Sequence, residues 1–147
     1  MSQHFWLLCG LWCGLGNGAR IWLRRQKYVE AGLLSEQDVL RFARGTVLWL
    51  LIPCLLLWAL QLSAGGNPSP EYWRWPLPQR YIAYGLQAFV WLALAYWVFI
   101  RDGANTLSVY FGAGSNAPSF LHSPSAMKLG TAAVLVSGIL ALLSVHA

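Results

Sequence analysis

Charge is what this chain has least of. Charged residues are 10% of its 147 positions and only five are acidic, whereas apolar residues make up 57%. A soluble domain usually carries about 25% charged residues, so an ordinary water-facing fold is excluded. Lipid is the expected solvent for most of these side chains. The long apolar windows also lack carboxylates, because Glu30, Glu36, Asp38, Glu71 and Asp102 fall in connections or at span ends. A proton-coupled carrier needs an embedded carboxylate to move its proton. Coupled transport is therefore disfavoured.

Cysteine and histidine are equally sparse, with three of each. Cys9, Cys13 and Cys54 all fall inside predicted spans, where no oxidising compartment can build a disulfide framework. They read as small packing groups. The C-x-x-x-C spacing of Cys9 and Cys13 is also wrong for a thiol-shuttling C-x-x-C pair. His4, His122 and His146 are not spaced to bind a metal from one helix, so no metal and no cofactor is expected. Gly112-Ala113-Gly114-Ser115 lacks the strand–turn–helix setting of a nucleophile elbow. A basic segment before the first apolar stretch is missing too, and that stretch reads as a retained helix rather than a signal peptide.

What is present is long apolar runs and aromatics. Nine Trp, six Tyr and six Phe suit two membrane interfaces better than one small core. A spanning helix needs about 20 mostly apolar residues, and four windows qualify: 5–23, 45–63, 81–100 and 129–145. The expected architecture is all-α, one domain over 1–147, a four-helix transmembrane bundle. The charge-free stretch Gly103–Met127 is broken by Gly, Asn, Ser and Pro. It reads as a loop lying on the membrane through Val109-Tyr110-Phe111 and Phe120-Leu121.

Orientation follows from basic residues in the loops. Arg20, Arg24, Arg25, Lys27, Arg41, Arg44, Arg101 and Lys128 flank one side, against Arg74 and Arg80 on the other. The first side is read as cytoplasmic, which puts both termini outside. A bacterial inner membrane suits this arrangement. The net charge of +5 sits beside the spans, so its counter-charge is anionic lipid rather than nucleic acid. Arg20, Arg24, Arg25, Lys27, Arg41 and Arg44 are the candidate headgroup contacts.

The first connection carries local signals for a short basic helical hairpin. Gly32 suits the left-handed position after a helix end. Ser35 with Asp38 forms a capping box for the next helix, with Leu34 and Val39 as its staple. The second connection, Ala64–Gln79, holds Pro68, Pro70, Pro76 and Pro78. In it Tyr72, Trp73, Arg74 and Trp75 read as an interfacial belt or a recognition loop.

Gly10, Gly14 and Gly18 repeat the G-x-x-x-G step, which clears one helix face for close packing. Ala133, Ser137 and Ala141 form a similar stripe in the last span. Either stripe is expected to meet the other, a second copy or a different transmembrane protein, contact within the same chain being the favoured outcome. Pro53 lies mid-span and predicts a kink. Together these features favour a non-catalytic accessory, assembly or structural subunit that acts by helix packing. The alternative is a small membrane enzyme or carrier for a lipid or other apolar molecule with an anionic headgroup.

Overall fold

The computed structural model describes residues 4–30, 32, 34–65, 71–114 and 123–146, leaving aside the side chains of 112–114 and 145–146. Pro68, Pro70, Ser115, Phe120, Leu121, His122 and the side chain of His146 lie outside this set. All regular structure among the described residues is helical. Contacts divide the chain into two compact units, Met1–Ala88 and Phe89–Ala147.

The first unit opens with a continuous helical path. Helix α1 (Phe5–Gly10) passes into a π-helical turn (Leu11–Leu15) and then into α2 (Gly16–Leu23). A π turn widens the i→i−4 ladder locally. Just beyond it the Asn17 side-chain amide donates to the Cys13 carbonyl at 2.7 Å. Arg24 leaves helical geometry, and the short α3 (Arg25–Glu30) follows. Gly32 then takes φ +66°, the left-handed conformation expected there, and its N–H reaches the Val29 carbonyl at 2.9 Å.

Helix α4 (Glu36–Ser63) is 28 residues long, about 42 Å at 1.5 Å per residue. Ser35 starts it in an extended conformation, its hydroxyl accepting the Asp38 N–H. The Asp38 carboxylate in turn accepts the Ser35 hydroxyl at 2.6 Å. The helix therefore begins nine residues before the apolar window at Gly45 and carries Arg41 and Arg44 on its first turns. α3 packs on that start, with Tyr28 and Val39 buried between them.

The path from α1 to α2 lies antiparallel along α4, and the three spaced glycines form the seam. A Cβ on Gly10 would stand 2.7 Å from the Cβ of Cys54. One on Gly14 would stand 3.2 Å from the Cβ of Leu51 and 3.3 Å from the Val47 carbonyl. One on Gly18 would collide with the Val47 side chain. Lipid removes most of the hydrophobic gain from helix association, so close van der Waals packing has to hold such a pair. Glycine permits that approach.

After a 3₁₀ turn (Tyr72–Arg74) comes α5 (Leu77–Phe99), whose last turns belong to the second unit. Asp102 takes φ +61° and separates α5 from α6 (Gly103–Gly114). The Trp97 ring lies over Gly103, where a Cβ would come within 2.6 Å. The expectation of a loop from Gly103 is thus corrected. The breakers Gly103, Gly112 and Gly114 stand at the ends of α6, and Ala104–Phe111 between them contains neither Gly nor Pro. Ala104, Ser108 and Tyr110 are buried, so tertiary packing stabilises a helix that composition had masked.

The last helix, α7 (Pro124–His146), starts with Ser123 accepting the Ala126 N–H at 3.1 Å. Proline occupies its first position, where no donor is lost. Gly138 admits the Trp91 ring, 2.6 Å from where a Cβ would sit.

Among the described residues, three helices are long and apolar enough to cross a membrane: Glu36–Ser63, Leu77–Phe99 and Pro124–Ser144. Apolar side chains cover their surfaces and that of the first path. Trp12 is 83% exposed, Leu92 72% and Leu129 76%. Such surfaces suit lipid as the surrounding medium and an integral membrane location.

Candidate functional site: a basic groove and an aromatic knot

At one end of the first unit, α2 and α4 enclose a groove of about 560 Å³. Gly18, Ala19 and Trp22 form one wall, and Leu40, Ala43, Arg44, Val47 and Leu48 the other. Arg20, Lys27, Arg41 and Arg44 are exposed, and Arg24 and Arg25 half-buried. Arg25 is the best-positioned of these. Its guanidinium lies 4.4 Å from the centroid of the Trp22 ring, donates to the Trp22 carbonyl at 3.3 Å, and stands 3.5 Å from the Glu36 carboxylate. Burial pushes the nearby Tyr28 phenol above its usual range, against the opposing pull of Arg24 and Arg20.

At the other end the aromatics gather. Tyr72 stacks edge-on against Trp73, Trp75 and Tyr84, at centroid distances of 5.5, 6.3 and 5.5 Å. Trp6 approaches the same ring at 6.4 Å. The Trp58 indole donates to His4 Nδ1 at 3.3 Å, and Arg80 donates to the Trp73 carbonyl at 3.3 Å. Trp75 is 2% exposed and Tyr72 9%, so two of the four candidate recognition residues belong to the interior. Arg74 remains exposed, paired with Glu71 at 2.7 Å, and Trp73 is half-buried. Burial, followed by the neighbouring Tyr84, raises the Tyr72 phenol.

Against protein-family models, curated proteins and solved structures, this chain has no match. Its function has to be argued from the two ends and the helix faces.

The two small-residue stripes differ in placement. Gly10, Gly14 and Gly18 are buried against α4, whereas Ala133, Ser137 and Ala141 are all exposed. Within the second unit α7 turns its Gly138 side to α5, leaving the stripe outside. Helical polar groups are largely spent on their own backbone. Thr46 bonds the Phe42 carbonyl at 2.9 Å, Ser63 that of Leu60 at 2.8 Å, Ser108 that of Asn105 at 2.8 Å, and Ser137 that of Val134 at 3.0 Å. Among the described residues, no three of His, Cys, Asp and Glu come together as a metal site.

Sequence reasoning missed two features here. The His4–Trp58 bond joins positions 54 apart, and nothing local announces it. Trp22 and Arg25 are three apart, a spacing at which helical neighbours meet, and that signal was available.

Proposed function

We propose that this chain is a non-catalytic integral membrane subunit with four spans and both termini on the non-cytoplasmic side, serving an assembly through its outer helix faces. The fourth span is the path from Phe5 to Leu23, which runs the length of α4's apolar half. The hairpin of α3 and the start of α4 then lies on the cytoplasmic side with its six basic residues. The observation that carries the subunit reading is α7. None of its apolar window among the described residues is buried, and Gly138, where the Trp91 ring packs, lies off the small-residue stripe. The glycine face is consumed inside the first unit, and α7 offers a long apolar face that a neighbour, a second copy or another transmembrane protein, would cover. The commitment of helical hydroxyls to their own carbonyls supports a packing role over a chemical one.

The test is the mass of the particle extracted in mild detergent at native abundance, read by light scattering. An assembly of fixed stoichiometry is expected, and Ser137→Leu is expected to break it while leaving the helical content unchanged. A monodisperse single copy in both proteins would sink the subunit reading.

A further inference from the structure

We propose that the groove between α2 and α4 binds one anionic phospholipid, with its phosphate at Arg44 and an acyl chain against Ala19, Val47 and Leu48. The volume of about 560 Å³ lies within the usual range for small-molecule sites, about 300–1,000 Å³. Its shape has a floor. At Gly18 the two helices touch, a Cβ there meeting Val47 and the Ala43 carbonyl at 3.3 Å, so the groove closes toward the middle of the span. From that floor to Trp22 is four residues, about 6 Å along the axis. The walls are apolar apart from Arg44. It leaves α4 level with Gly18, between the Ala43 and Val47 contacts, and its side chain leans toward the helix N-terminus and so toward Trp22.

The charge comes from Arg44 on the wall and from Arg25 beside Trp22. Arg44 is exposed and has no ion-pair partner among the described residues. Arg25 is held over the ring of Trp22, which lines the groove. Trp22, 46% exposed, is the side chain most at home where headgroup meets hydrocarbon. Around the mouth, positions 20–44 hold six basic residues against three acidic, and one of those carboxylates, Glu36, already faces Arg25. A zwitterionic lipid offers this surplus no net counter-charge. An anionic one does, and guanidinium–phosphate bonds are charge-assisted. The site is independent of the subunit reading, since it involves neither α7 nor a partner.

The experiment uses the full chain, delipidated in detergent and titrated with long-chain phosphatidylglycerol or phosphatidylcholine, with bound lipid counted by native mass spectrometry. One phosphatidylglycerol is expected to bind ahead of any phosphatidylcholine. Arg44→Gln is expected to weaken it about fivefold, the usual worth of one basic residue at an anionic surface. Arg101→Gln, in the second unit, removes the same charge and is expected to leave binding unchanged. Ala19→Trp fills the groove without altering charge and is expected to abolish the bound lipid. Should that variant fail to fold, the two arginine variants decide. Free glycerol phosphate, which lacks the chain, is expected not to compete. Equal affinity for the two lipids, equal losses in the two arginine variants, or competition by the free headgroup would each overturn the proposal.

Discussion

The glycine seam offers a test in which one substitution has opposite effects at neighbouring sites. Gly10 and Gly16 lie in the same helical path, and Gly→Ala at either gains the helix preference of alanine, about 0.5–1 kcal/mol. Their surroundings differ. A Cβ at position 16 meets nothing within 4 Å, whereas at position 10 it meets the Cβ of Cys54 at 2.7 Å. Carbon atoms rest about 3.5–4.0 Å apart, so α1 and α4 must part by about 1 Å. A Cβ is fixed to its backbone, and no rotamer change relieves the clash. Overpacking of this kind costs about 1–3 kcal/mol, and that is the expected difference between Gly10→Ala and Gly16→Ala. The common gain in helix preference cancels. Cysteine 54 then identifies the cause. Cys54→Ala keeps the Cβ and is expected not to rescue Gly10→Ala, while Cys54→Gly removes it and is expected to recover at least about 1 kcal/mol in a double-mutant cycle. Reversible unfolding in mixed micelles, followed by circular dichroism, reads the parent, the four single variants and the two doubles. Equal midpoints for Gly10→Ala and Gly16→Ala would refute the seam.

Replacing Cys9, Cys13 and Cys54 together by Ala is expected to leave a folded protein. In that background a cysteine at Ser69 is expected to react with an impermeant thiol reagent from outside, and one at Ser35 only after the membrane is opened. The reverse pattern would invert the topology. Tyr28 makes a pH prediction: its phenol is raised above 10.0 by burial, so folding favours the protonated form. Its contribution is fully present below pH 10 and is lost as pH rises through the folded-state value. Unfolding midpoints between pH 8 and 11 are therefore expected to fall only at the alkaline end, and less steeply in Tyr28→Phe. An unchanged slope in that variant would count against burial as the cause.

Much was legible without coordinates because the determining signals were local. The apolar windows, the left-handed position at Gly32, the Ser35 cap with Asp38 and the four-residue glycine spacing each depend on a few neighbouring residues. Backbone hydrogen bonding and helical period translate such signals directly into structure. The continuation of α4 upstream to Glu36 followed from the cap alone. What depended on distant residues was not legible. The glycine face could have met any small-residue face, and only the fold put it against Ala43, Val47, Leu51 and Cys54. α6 was hidden because its glycines were counted without knowing that they stand at its ends, and burial of Ala104 and Tyr110 decides that. Tyr72 and Trp75 have the composition of an exposed loop, yet they are interior: Tyr84 and Trp6 reach Tyr72 from other helices, and Trp75 packs edge-on against it. Periodicity and capping specify helices one at a time, whereas the pairing of faces depends on shape complementarity between segments far apart in the chain.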